Sequence, residues 1–241
     1  MNQAPSHNSL PLLDLRAVGK TFRLHARASE PMCVFENFDL QLYAGECVVL
    51  TGSSGCGKST LLRLIFGNYL LQSGRICVRH NGGVVDIASS TPREILRLRR
   101  WTLGYVSQFL RVIPRVPALQ IVAEPLRQRG VPAEMARPRA AQMLERLHVP
   151  PRLWRLPPAT FSGGEQQRVN LARAFVADYP VMLLDEPTAA LDSENRNTVM
   201  ALMEECKNRG AGLLGVFHDV EVRAAVGTRF VNVEAFRGNH G

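Results

Sequence analysis

Nowhere in the 241 residues does an apolar run approach the roughly 18 residues that a membrane-spanning helix needs. The first residues, MNQAPSHNSLPLLDL, hold neither a basic segment nor a continuous apolar one, so no targeting leader is expected there. Cysteine is sparse: Cys33, Cys47, Cys56, Cys77 and Cys206 stand apart, with no CxxC pair and no metal-ligand spacing to histidine. That excludes a zinc module and a disulfide framework and points to a reduced, cytoplasmic setting. Internal repeats, heptads and low-complexity tracts are absent. Lysine is nearly missing as well, since Lys20, Lys58 and Lys207 are the only three among 29 basic residues. Arginine and lysine serve equally well on most solvated surfaces, so that bias reflects composition more than function.

What remains is a chain with 46% hydrophobic residues, ample for a buried core of one or two domains. Its formal net charge is +8. A basic chain binds nucleic acid, an anionic membrane surface or a phosphorylated ligand, and composition does not choose among them.

Residues 1–11 are polar, contain Pro5 and Pro11, and read as a frayed, disordered tail. Period-two patterns at 12–18 and 33–42 and the apolar run at 46–51 predict strands, followed by a loop at 52–57 and a helix over 58–67. Weaker strands are expected at 75–80 and 84–87 around Asn81-Gly82-Gly83, then a helix opened by the cap Thr91 with Pro92 behind it, and a strand at 103–107. Pro114, Pro117, Pro125, Pro132 and Pro138 punctuate the helix-favouring stretch that follows, about 109–160, which reads as an inserted helical subdomain. A helix over 162–178, a buried strand at 181–184, a helix over 193–209 and a strand at 213–217 complete the pattern. Strands alternating with helices predict an α/β fold with a mainly parallel sheet.

One loop carries clear chemistry. Gly52-Ser53-Ser54-Gly55-Cys56-Gly57-Lys58-Ser59-Thr60 fits G-x-x-x-x-G-K-[ST] and lies between a buried strand and a helix, the context that the motif requires. Glycines let successive N–H groups converge on phosphate oxygens, and the helix N-terminus adds partial positive charge. Lys58 would reach the β and γ phosphates, and Ser59 would offer its hydroxyl to Mg²⁺. The run Val-Met-Leu-Leu before Asp185 and Glu186 would bury a strand and leave both acids at its carboxyl end. Asp185 would then hold Mg²⁺ through water, and Glu186 would accept a proton from the attacking water. ATP and Mg²⁺ are the expected cofactors.

The stretch FSGGEQQRVNLARAF at 161–175 resembles the signature of ABC-type ATPases, and other landmarks of that family occur in order. Gln108 stands in the glutamine loop, Ala189-Ala190-Leu191-Asp192 looks like the D-loop, and His218 follows a strand as the switch histidine does. Phe22 sits where the family places an aromatic under adenine. The resemblance covers about 12–234. It implies a P-loop NTPase of ABC type: a RecA-like core at 12–108 and 161–234, an antiparallel β subdomain and the helical subdomain, within one domain over 12–241. It also implies catalytic roles for Glu186, His218 and Gln108, metal binding by Ser59, Gln108 and Asp185, and ATP contacts from Asp192 and the signature loop. In that loop Ser162 can cap the next helix while Gly163 and Gly164 expose N–H groups to a phosphate of the other subunit's ATP. Glu165 replaces the usual Gln and adds a negative charge near that site. The dimer would be homotypic or formed with another ABC ATPase.

The stretches 107–122 and 153–175, with GVFHD at 215–219, are similar to the L-type ATPases of bacterial phosphonate carbon-phosphorus lyase systems. That likeness implies soluble lyase subunits as partners and support for forming a ribose 1-phosphonate 5-triphosphate from ATP and phosphonate. The alternatives are the ATPase subunit of a lipoprotein-releasing or macrolide-exporting transporter and an ABC-like nucleic-acid-associated ATPase. Without zinc modules or coiled coils, no nucleic-acid partner is expected; nor is direct membrane insertion. Residues 93–155 carry 13 Arg and four Glu, a net of +9, while the rest nets −1. The charge therefore belongs mainly to the helical insert, where it would form a docking face for an acidic protein surface.

Overall fold

Three central strands are apolar but for Thr51 and Asp185 at their carboxyl ends, because a parallel sheet covered on both faces leaves few side chains to water. The computed structural model describes residues 10–22, 32–108 and 115–236. Its elements are β1 (Leu13–Phe22), β2 (Met32–Leu42), β3 (Cys47–Thr51), α1 (Lys58–Ile65), β4 (Ser73–His80), β5 (Gly83–Asp86), α2 (Pro92–Trp101) and β6 (Leu103–Val106). There follow α3 (Ala118–Gln128), α4 (Ala133–Arg146), α5 (Gly163–Phe175), β7 (Val181–Asp185), α6 (Ser193–Asn208), β8 (Gly212–Val216), α7 (Val220–Val226) and β9 (Arg229–Asn232). The parallel sheet runs β6-β7-β8-β3-β9, and a second, antiparallel sheet runs β2-β1-β4-β5. This is the ABC-type P-loop NTPase fold.

Period-two alternation splits the strands of the parallel sheet between two cores. Cys47, Val49, Met182, Leu184 and Leu213 face the helical insert and α6, whereas Val48, Leu50, Val181, Leu183 and Leu214 face α1 and the antiparallel sheet. The phosphate loop and the acids after β7 lie at the carboxyl ends of neighbouring strands, where open α/β sheets bind ligands.

Local chemistry moved several boundaries. The helix expected over 162–178 stops at Phe175, with Val176 as its C-cap. The prolines of the insert do not all break helices: Pro125 lies inside α3 and Pro138 inside α4. Each proline forfeits one backbone hydrogen bond, and buried Ile121, Val122, Leu126, Ala136, Ala140 and Leu144 hold the two helices together across them. The short elements α7 and β9 had no distinct pattern in the sequence. Residues 1–9 of the expected tail, and 109–114 of the lyase-like stretch, lie outside the described residues.

The arginines of the basic stretch 93–155 also divide. Arg129 donates to the carbonyls of Arg100 and Asp178 and packs on the rings of Trp101 and Tyr179. Arg146 pairs with Glu205 of α6, and Arg99 donates to Phe66 O and Asn68. These three fasten elements to one another. Arg93, Arg97 and Arg100 instead line an open depression with Leu96, Trp101 and Gln128, so only part of the surplus charge faces outward.

Candidate active site

The phosphate loop leaves β3 through three glycines in left-handed backbone, Gly52 (φ 132°), Gly55 (φ 79°) and Gly57 (φ 104°). Gly57 is the N-cap of α1 and supplies no side-chain cap, so the first N–H groups of that helix stay free for an anion. A Cβ at Gly57 would lie 2.3 Å from Val34 Cγ1, and one at Gly52 would lie 2.7 Å from Cys56 Sγ. Packing and conformation together therefore demand glycine at both. Ser53, Ser54 and Gly55 are exposed, Cys56 is buried, and Thr60 lies half-buried in the first turn of α1. Lys58 Nζ donates to the carbonyls of Gly52 (2.8 Å) and Ser53 (2.7 Å), folded across the loop that would hold phosphates.

Ser59 Oγ donates to Asp185 Oδ1 at 2.7 Å, and Tyr105 Oη donates to Asp185 Oδ2 at 3.1 Å. Burial pushes the Tyr105 phenol up to about 12, so it remains a donor at neutral pH. Ser59 and Asp185 form an all-oxygen donor set, and no group of three or more His, Cys, Asp or Glu among the described residues could hold a metal by itself. Such a site suits Mg²⁺, which takes few protein oxygens and completes its shell with phosphates and water.

Glu186 directly follows Asp185 and has φ +55°. Its N–H donates to Val216 O on β8, while Gln108 Nε2 donates to Oε2 at 3.1 Å and His218 Nε2 meets Oε1 at 2.8 Å. The Glu186 side chain is 17% exposed and that of His218 is 68% exposed. Gln108, Glu186 and His218, distant in sequence, thus form one hydrogen-bonded row. Behind it Asp219 caps α7 and pairs with Arg196, which anchors the segment carrying His218.

The signature lies elsewhere on the surface. Ser162 is the N-cap of α5 in a capping box: its Oγ accepts from Glu165 N, and the Glu165 carboxylate accepts from Ser162 N and Oγ. Those backbone and hydroxyl donations hold the Glu165 carboxyl below its usual range. The Glu that departs from the usual Gln is thus occupied by its own helix start. A Cβ at Gly163 would meet nothing within 4 Å, whereas one at Gly164 would lie 3.3 Å from Ala190 O. Asp192 caps α6 through Asn195 N at 2.8 Å. Among the described residues no hydrogen bond or ion pair joins 162–165 to 52–60.

Phe22 packs edge-on to Tyr69 at 5.4 Å between centroids and lies under Lys20 Nζ, so its ring partners belong to the antiparallel subdomain and its neighbourhood rather than to the phosphate loop. Several residues of the site went unread in the sequence. Tyr105 is one, and Glu234, which accepts from Ser53 N at 2.9 Å, is another. Buried Asn170 and Gln167 tie α5 to Ser107 O and Pro187 O, beside Gln108 and Glu186. The S-x-x-E spacing of a capping box was the one legible signal among these features.

Known proteins resemble this chain over most of its length. The ABC transporter family matches residues 35–189. The lipoprotein-releasing system ATP-binding protein LolD of Alcanivorax borkumensis is 36% identical over 219 residues, 90% of this chain and 92% of that protein. The macrolide export ATP-binding/permease protein MacB 1/2 of Paracoccus denitrificans is 36% identical over 221 residues, covering 89% of this chain and 31% of that longer protein. A dimeric post-hydrolysis structure of the ATP-binding cassette MJ0796, bound to ADP and phosphate, superposes with TM-score 0.80 at 30% identity, over 91% of this chain and 93% of that one.

Proposed function

The chain belongs to the ABC transporter family, and on that premise we propose that it binds and hydrolyses MgATP between two head-to-tail subunits, using the closure to drive a partner assembly. The carrying observation is the split site: residues 52–60, Asp185, Glu186, Gln108 and His218 are interlocked, while Ser162, Gly163 and Asp192 are exposed, Ser162 and Asp192 bonding only within their own helix starts. The dimeric relatives support the pairing.

In this reading the N–H groups at the start of α1 and Lys58 hold the β and γ phosphates. Phe22 offers its ring to adenine, and Ser59, Asp185 and Gln108 hold the metal. Bound Mg²⁺ neutralises charge on the phosphate oxygens. Glu186 takes the proton of the attacking water, and Gln108 and His218 orient its carboxylate from either side. Ser162, Gly163, Gly164 and Glu165 of the opposing subunit close over the γ phosphate, and its Asp192 lies alongside. Phosphate release from the purified chain should rise with the square of protein concentration when dimers are scarce; a linear dependence down to nanomolar concentration would argue for a monomeric enzyme.

For the partner, the relatives support a membrane permease of the lipoprotein-releasing or exporting kind, since LolD is a separate ATP-binding protein of similar length. No helix among the described residues is long and apolar enough to cross a membrane. A second reading, the phosphonate carbon-phosphorus lyase assembly, is carried by 153–175 and 215–219. There Trp154 donates to Val149 O, and its carbonyl accepts from Leu119 N at the start of α3, while Gly215 leaves room for the Phe217 ring. Shared fold alone does not choose between them. A tagged pull-down from phosphate-starved cells discriminates: permease subunits support the first, and soluble lyase subunits with loss of growth on phosphonate after gene deletion support the second.

A further inference from the structure

We propose that Tyr105 is a positioning residue for the metal site, holding the Asp185 carboxylate in the orientation that receives the ion; this rests on the reading of Asp185 as a metal-binding residue. Tyr105 pairs in register with Leu183 on the adjacent strand. Side chains two apart on a strand share a face, so β6 and β7 place Tyr105 and Asp185 on the same side. Asp185 is only 1% exposed, and its two carboxylate oxygens receive different donors, Ser59 on Oδ1 and Tyr105 on Oδ2. A terminal carboxylate torsion is broad by itself. Two donors, one on each oxygen, remove that freedom before the metal arrives.

The phenol is itself fixed. Its ring stacks on Phe66 at 4.9 Å between centroids and an interplanar angle of 27°. Beside it stands Arg63, which donates to Tyr69 Oη at 3.4 Å and lies one turn beyond Ser59 on the same face of α1. Asp185 is thus held from two elements, by Ser59 of α1 and by Tyr105 of β6. When Ser59 swings from Asp185 to the ion, the Tyr105 bond keeps the carboxylate in place. Outer partners of this kind, when removed, typically cost about 10- to 100-fold in metal affinity.

The test uses the full chain as wild type, Tyr105→Phe, Asp185→Asn and the double variant. Mn²⁺ binding in the presence of AMP-PNP is followed by the EPR signal of free Mn²⁺, and AMP-PNP binding is also measured in EDTA. Tyr105→Phe retains the ring and its stacking, and unchanged thermal unfolding checks its fold. The expected result is Mn²⁺ binding weakened about tenfold, unchanged metal-free nucleotide binding, and no further loss when the change is added to Asp185→Asn. The Mg²⁺ concentration for half-maximal ATPase should rise while the plateau rate holds. Wild-type Mn²⁺ affinity in Tyr105→Phe, an equal loss in EDTA, or full additivity with Asp185→Asn would each overturn the role of Tyr105 alone. Asp185→Asn binding Mn²⁺ like wild type would instead remove the reading of Asp185, and the proposal with it.

Discussion

The phosphate-loop half and the signature half of this site are built on opposite plans. In the first, the polar groups engage one another, mostly from distant parts of the chain: Ser59 with Asp185, Gln108 and His218 with Glu186, Lys58 with its own loop. In the second, Ser162, Glu165 and Asp192 are satisfied within three residues of themselves, and Gly163 faces open space. The difference teaches where, in the proposed function, a second subunit would enter. A self-contained cap leaves the rest of its helix N-terminus available, whereas the interlocked half already holds its side chains against one another.

The sharpest challenge to that contrast is Glu186→Gln. It should lower turnover by about 100- to 10,000-fold, preserve ATP binding and leave ATP-bound dimers visible by light scattering; a normal rate would show that the interlocked row is not the catalytic one. Next comes Gly163→Asp. A Cβ at that position would meet no atom within 4 Å, so folding and nucleotide binding should survive, while steady-state turnover falls by about 100-fold through repulsion of the partner's phosphates. Full activity in that variant would place the signature outside the site.

How far the sequence disclosed these halves depends on the range of the interactions involved. Lys58, Ser59, Asp185 and Glu186 were readable because a contiguous motif and a buried apolar strand specify them locally. Glu165 looked like a charge placed against phosphate, although the spacing Ser162-x-x-Glu165 already spelled the cap that absorbs it. Tyr105, Asn170 and Glu234 were out of reach, because their partners Asp185, Ser107 and Ser53 meet them only through sheet order and helix packing. The α/β fold followed from alternation, yet helices that run through Pro125 and Pro138 are won by tertiary packing that no local rule contains.

A smaller effect concerns the pH dependence of stability. Backbone donation holds the carboxyl groups of Glu94, Glu165 and Asp219 below their ordinary values. Groups depressed in the folded state contribute stability above their unfolded values and lose it as pH falls through the folded ones. Thermal unfolding should therefore be level near neutrality and decline below 4.5, the ordinary value for Glu. The smallest effect belongs to Glu165→Gln. The amide oxygen can still accept from Ser162, so a Tm change of no more than a few degrees is expected with the turnover retained. A large loss of turnover would mean that the carboxylate acts beyond the cap.

Glu186 hangs from a residue in left-handed backbone, φ +55°, a conformation that costs a side-chain-bearing residue on the order of 1 kcal/mol or more. Selection for durability alone would favour glycine or asparagine at that position. If Glu186 is the base as proposed, keeping glutamate there trades thermal robustness for reactivity. Under the proposed function, a change to glycine chosen at position 186 for stability alone would silence the enzyme while making it harder to melt.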